Sequence, residues 1–108
     1  METPKAGTSF EQAYLTSKNL TGVFSLDGAV LDDKIEGYTF HDCTLTNGSF
    51  AGSNFENCIF KNVLFNGIGL EATVFRNCFF EDITFKKCPI DMIRMEHCTG
   101  TPPQILPS

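Results

Sequence analysis

Five cysteines and two histidines are the residues of this chain best suited to nucleophilic or metal chemistry. Cys43, Cys58, Cys78, Cys88 and Cys98 are separated by fifteen, twenty, ten and ten residues. A zinc or redox site of the common kind brings two cysteines together as C-x-x-C, and this chain has no such pair. The cysteine number is odd, so a complete disulfide framework is excluded as well. His97 stands next to Cys98, an arrangement that invites metal binding or thiolate activation, whereas His41 stands away from any cysteine but Cys43. No Ser-His-Asp set and no Gly-rich phosphate loop accompanies them. Every cysteine spacing is a multiple of five. That common divisor points away from a reactive centre and toward a repeating element.

Steps of five from Phe40 land on Phe40, Leu45, Phe50, Phe55, Phe60, Phe65, Leu70, Phe75, Phe80, Phe85, Ile90 and Met95. All twelve are large and apolar. Residues of that kind make up a little under a third of the chain, so twelve in succession arise by chance roughly once in a million. Two residues before these positions the side chains are small or medium, Tyr38 excepted, and all five cysteines fall there. Two residues after them stand Asp42, Asn47, Gly52, Asn57, Asn62, Gly67, Ala72, Asn77, Asp82 and Lys87. Gly, Asn and Asp tolerate the positive φ of a tight turn. Each unit of five therefore reads as an inward pair followed by a corner, with the cysteines as small core fillers. Upstream, Ala13–Ser17 and Lys18–Gly22 keep the phase. Residues 23–37 divide into units of six, five and four, which reads as one distorted coil with a bulge.

The successive units CTLTN, GSFAG, SNFEN, CIFKN, VLFNG, IGLEA, TVFRN, CFFED and ITFKK resemble the pentapeptide-repeat family, whose units read A(D/N)LXX. The resemblance runs over residues 13–99. It implies an all-β fold, a right-handed quadrilateral parallel β-helix with four units and twenty residues per coil, of about four coils. Residues twenty apart then stack at the parallel-strand spacing of about 4.8 Å. The inward residues sort into four walls. These are Leu20, Phe40, Phe60 and Phe80; Leu45, Phe65 and Phe85; Phe50, Leu70 and Ile90; and Leu15, Ile35, Phe55, Phe75 and Met95. Columns of stacked rings explain a composition with eleven Phe, two Tyr and no Trp. Cys58, Cys78 and Cys98 form one inward column, where neighbouring thiols point the same way and suit disulfide geometry poorly.

Residues 1–12 lack the period and read as an N-terminal cap or tail. Ser9–Gln12 has the character of a helix start, and Phe10 with Tyr14 is placed to cover the first coil. Residues 13–99 are the β-helix. Residues 100–108 form a Pro-rich C-terminal tail that ends the ladder, with Ile105 and Leu106 folding over the last coil.

The chain has 108 residues, 42% of them hydrophobic, and a net charge of −5. That composition suits one folded domain and argues against direct nucleic-acid or anionic-membrane binding. There is no run of eighteen apolar residues and no basic-then-apolar leader. Free thiols fit a reducing, cytoplasmic setting. A filled prism is expected to hold no cofactor and no metal, to be no enzyme, and to act through its outer surface. The positions preceding the large residues include Ile59, Leu64, Val74 and Phe79, apolar side chains directed outward around one edge. They form the candidate partner interface, for another protein or for a second copy in a homodimer. A second reading follows from the resemblance, since members that resist quinolones or inhibit DNA gyrase present an acidic, dimeric rod in place of DNA. Here residues 38–99 carry seven acids and five bases, and Glu56, Arg76 and Glu96 alternate in one column, which weakens that reading. A third reading is a bacterial effector or a phage-encoded inhibitor of a host protein.

Overall fold

The computed structural model describes residues 8–106, and expectations for residues 1–7 and 107–108 lie outside the described residues. Strand β1 (Thr8–Ser9) leads into helix α1 (Phe10–Thr16). Strands β2 (Asn19–Ser25), β3 (Lys34–Glu36), β4 (Thr39–Thr46), β5 (Asn54–Glu56), β6 (Ile59–Asn66), β7 (Val74–Arg76), β8 (Phe79–Lys86), β9 (Arg94–Glu96), β10 (Thr99–Gly100) and β11 (Gln104–Leu106) follow. Every pairing is parallel. One sheet runs β1-β2-β4-β6-β8-β10, with β11 also on β8, and the other runs β3-β5-β7-β9. The register is twenty residues: Phe40 lies beside Phe60, Phe60 beside Phe80, and Phe55 beside Phe75. The chain is a β-solenoid of about four turns.

Its four walls follow from the corners. The long strands β4, β6 and β8 each bend midway at Asp42, Asn62 and Asp82, where φ is 52°, 53° and 57°, and so supply two walls. The three-residue strands make a third. The fourth is tied by bridges from Val30 to Ser49 and from Ser49 to Gly69. All ten turn residues from Asp42 to Lys87 named from the sequence have positive φ, as do Met92 and His97. Each such corner reverses nothing. It rotates the chain by about a quarter turn so that the next inward side chain meets the same core.

That core is built of rings. Phe40 and Phe60 stack with centroids 4.8 Å apart and planes within 2°, and Phe55 and Phe75 at 5.0 Å and 7°. Between walls the rings meet edge to face, Phe55 on Phe60 at 5.5 Å and Phe50 on Phe55 at 5.0 Å. Both arrangements suit the aromatic quadrupole. Phe65 and Phe85 depart from the expected parallel column, meeting at 85°.

Three expectations are corrected. Leu15 does not open a wall: it lies in α1 and is 69% exposed. Seven residues with helix-compatible side chains wind instead so that Phe10, fully buried, plugs the first coil against Phe24, Phe40 and Phe50. Ser9 occupies the N-cap position without a side-chain hydrogen bond. The distorted coil starts earlier than its units of six, five and four imply, because the register already slips between Leu20 and Gly22. The extra residues then bring Leu26 into the core against Gly48, where a Cβ would collide with the Leu26 side chain. At the far end the ladder does not stop, since β10 and β11 continue on β8 in the same register. Pro102 and Pro103 interrupt it between them: the pairing that joins Cys43, Val63 and Ile83 on the earlier rungs is not continued to residue 103, and the strand that is unbroken in β4, β6 and β8 is split into β10 and β11. Ile105 and Leu106 are exposed rather than folded over the coil.

The cysteines are fillers with a second task. Each thiol donates to the carbonyl of an inward residue twenty-three positions earlier. Cys43 donates to Leu20 at 2.9 Å, Cys58 to Ile35 at 3.3 Å, Cys78 to Phe55 at 3.4 Å, and Cys88 and Cys98 to Phe65 and Phe75 at 3.2 Å. Buried Thr73 does the same to Phe50 at 2.8 Å. The inward small residue thus cross-links rungs as well as filling space. All five cysteines are free. Burial pushes the Cys43 thiol up to about 11, and raises Cys88 and Cys98. Contact with the Cys58 thiol, added to burial, keeps the proton on Cys78.

Phe60→Ala removes a ring stacked on both sides and should cost about 3–5 kcal/mol in a denaturant melt, against little for the neighbouring Lys61→Ala. In native protein an exposed-thiol reagent should label the half-buried Cys88 and Cys98 first, with Cys43, Cys58 and Cys78 reacting only on unfolding. The raised Cys43 also sets a pH dependence. The unfolded chain ionises this thiol near 9.0 while the fold keeps it protonated to about 11. The unfolded state then binds fewer protons in that interval, so its stabilisation is intact below pH 9 and falls as pH rises. Cys43→Ala should flatten the loss of stability measured between these values.

Candidate interaction surface

The outer surface divides by wall. On the wall of β3, β5, β7 and β9 the side chains form an ion ladder. Lys34 lies 3.7 Å from both Glu36 and Glu56, Arg76 lies 3.6 Å from Glu56 and 3.0 Å from Glu96, and Arg94 lies 3.0 Å from Glu96. Three cations face three carboxylates, so the wall is neutral. The Arg76 guanidinium, hydrogen-bonded to Glu96 and backed by Arg94, holds that carboxyl below its usual range. The ladder reproduces the alternation of Glu56, Arg76 and Glu96 seen in the sequence.

The adjoining wall is different. Ile59 on β6 and Phe79 on β8 are register partners, side by side and directed outward. Ile59 is 40% exposed, and Phe79 is half-buried with the Lys61 ammonium 5.9 Å from its ring centre. A shallow groove of about 350 Å³ runs beside them, walled on its other side by the corner residues Asn57, Asn77 and His97. A second groove of about 510 Å³ lies on the far side of Ile59, between His41, Asp42, Lys61, Glu81 and Asp82. Asn62 donates to Asp42 there at 2.8 Å. Of the four residues singled out in the sequence, the structure joins Ile59 and Phe79. Leu64, half-buried, sits beyond the Asn62 corner on β6 between Thr44 and Thr84. Val74, also half-buried, sits on the ion-ladder wall between Asn54 and Arg94. The apolar edge is therefore narrower than the four residues suggest.

Sequence reasoning missed the clamp at the N-terminal end. Tyr14 donates to Asp33 at 2.7 Å, Tyr38 donates to the Tyr14 carbonyl at 2.6 Å, and Lys18 lies 4.4 Å over the Tyr38 ring. The Asp33 hydrogen bond, burial and the carboxylate charge push Tyr14 up to about 12. Its partner Asp33 belongs to the irregular units of residues 23–37, so no period announces the contact. Among the described residues no group of three His, Cys, Asp or Glu side chains is placed to hold a metal ion, and His97 and Cys98 point to different sides of the wall. No helix among the described residues is long and apolar enough to cross a membrane.

Solved structures share this architecture. Two trypsin-treated variants of QnrB1, a plasmid-mediated fluoroquinolone resistance protein, superpose with TM-scores of 0.64 and 0.63 at 20% and 19% identity. They cover 81% and 82% of this chain, which itself spans 48% of each of them, about half their length. Rfr23, a pentapeptide-repeat protein from the cyanobacterium Cyanothece 51142, matches at a TM-score of 0.42 and 10% identity over 82% of this chain and 83% of its own. No curated protein matches the chain in sequence. The family model described as the pentapeptide repeat region matches residues 38–101. With five-residue units, corners of positive φ and a twenty-residue parallel register in place, the chain belongs to the pentapeptide-repeat family.

Proposed function

We propose that this protein is a binding module that docks another protein on the wall carrying Ile59 and Phe79. The observation that carries the reading is the pairing of these two side chains on successive rungs, outward, beside a groove. Apolar and aromatic anchors in or beside a pocket dominate the energetics of protein interfaces. The rim supplies neutral amides from Asn57 and Asn77 on one side and the mixed charges of Lys61, Glu81 and Asp82 on the other, a polar border of the usual kind. The core is filled with rings and leaves no interior site for a substrate. The reading therefore assigns the protein recognition rather than catalysis, in a reducing compartment that keeps its thiols free.

A second reading, a DNA-mimicking protector or inhibitor of a topoisomerase, draws on the likeness in fold to QnrB1. The neutral ion ladder counts against it, because one full wall offers no excess of negative charge. A gyrase supercoiling assay with and without the protein separates the two.

Ile59→Ser with Phe79→Ser should leave the melting temperature within a few degrees of wild type, as surface changes do. The same double change should abolish retention of any partner captured from the native host. Retention of every partner by the folded double variant would remove the wall from consideration.

A further inference from the structure

The chain contains two Asn-Gly pairs, Asn47-Gly48 and Asn66-Gly67. In such a pair the glycine nitrogen can attack the carbonyl carbon of the asparagine side chain, because glycine has no Cβ to crowd the approach. The reaction also needs a nitrogen free of other bonds and a backbone free to swing it under the side chain. The solenoid treats the two pairs oppositely.

Asn66 ends strand β6, in register with Thr46 on one side and Lys86 on the other. The Gly67 amide donates to the Lys86 carbonyl at 2.8 Å. Bringing that nitrogen onto the Asn66 side chain would break the ladder at this rung. Asp27-Gly28, which could close the same ring, is held likewise: the Gly28 amide donates to the Asn47 carbonyl at 2.7 Å. Asn47 itself lies past the end of β4, exposed, at a corner with φ 63°. The Gly48 amide donates to no backbone carbonyl among the described residues. At the other corners where asparagine has positive φ, the next residue is Cys58, Val63 or Cys78, and its Cβ obstructs the attack.

The surroundings of Asn47 give the reaction a consequence. Its carboxamide donates to Ser25 Oγ at 3.1 Å, and that hydroxyl donates to Asp27 Oδ1 at 3.2 Å. These bonds tie the corner to the irregular coil, where Leu26 packs against Gly48.

We propose that Asn47 is a modification site, deamidated in the folded protein with water as the co-reactant. The Gly48 nitrogen gives its proton to solvent base and forms a bond to Asn47 Cγ. The Cγ–Nδ2 bond breaks, and Nδ2 leaves as ammonia. Water then opens the five-membered succinimide, at Cγ to give aspartate or at the main-chain carbonyl to give isoaspartate. Nothing is oxidised or reduced. Either product replaces the donor to Ser25 with a carboxylate, so that one hydroxyl stands between this charge and Asp27. Isoaspartate also routes the backbone through Cβ and lengthens the corner. Both changes weaken the tie to the irregular coil. The proposal is independent of the Ile59–Phe79 wall.

Peptide mapping by mass spectrometry tests it on the full chain aged in mildly alkaline buffer. Tryptic cleavage separates the sites into residues 35–61 and 62–76, and an unaged sample corrects for conversion during digestion. In the folded chain Asn47 should convert at least about tenfold faster than Asn66, whose reaction waits on local opening of the ladder. In denaturant the two rates should converge, which assigns the difference to the fold. Aged wild type should melt below fresh protein. Aged Asn47→Gln should not, because the longer side chain closes its ring far more slowly. Should Asn47→Gln fail to fold, the ratio of the two sites in wild type still decides. A folded chain in which Asn66 converts as fast as Asn47 overturns the proposal, as does one that keeps Asn47 intact while the denatured chain converts it.

Discussion

Everything in this molecule depends on keeping residues twenty apart in line. A parallel rung spacing near 4.8 Å is also a comfortable distance for stacked aromatic rings. Phe40 on Phe60 realises it at 4.8 Å, and Phe60 on Phe80 at 5.3 Å. Backbone ladder and ring column therefore enforce one another: a slip of one residue would turn every ring outward and leave the ladder without a core. The corners serve this alignment. Ala72, Lys87 and Met92 accept a left-handed backbone that costs a non-glycine residue roughly 1–2 kcal/mol, because any other conformation there would send the next inward residue off its column. The thiols serve it too, by tying a carbonyl on one rung to a side chain on the next.

A constraint of this kind is unusually legible. Twelve inward residues in a row and ten turn residues at a fixed offset specify walls, corners and the rung register of residues 38–96 without any long-range guesswork. Legibility failed at the two ends and in the irregular units. Leu15 sits in phase with the fourth wall, yet local helix formation by Phe10–Thr16 wins, because an open first coil gains more from the buried ring of Phe10 than from one more aliphatic in a strand. The slip at Thr21 was hidden because the later insertion compensates it. The prolines at 102 and 103 read as terminators, yet they only interrupt the ladder, which resumes on β8 at Gln104. Of the candidate surface, the outward direction of Ile59 and Phe79 followed from the period. The partial cover of Phe79 by Lys61 did not, since a flexible cationic stem can lie over either neighbour.

The surface chemistry follows the same geometry. When columns run straight along a prism, charges interact chiefly with neighbours one rung away. Lys34, Glu56, Arg76 and Glu96 alternate and cancel, which leaves their wall neutral and ordered. The acids Asp42, Glu81 and Asp82 gather instead near one corner beside His41 and Lys61. A solenoid with a filled core offers partners only such columns, corners and ends. The apolar Ile59–Phe79 pair is one place where this exterior is neither polar nor self-paired; Leu15 and Val30 near the first coils and Met92 and Ile105 on the last are others.

The central claim is the ring column running from Phe10 through Phe40 and Phe60 to Phe80, with Phe55 on Phe75 beside it. Solution NMR of the folded chain with selectively labelled phenylalanine measures it directly. The account predicts ring-to-ring nuclear Overhauser effects between Phe10 and Phe40, and between Phe40 and Phe60, Phe60 and Phe80, and Phe55 and Phe75. Assigned rings that lack these contacts, or that pair at separations incompatible with a twenty-residue register, would contradict it.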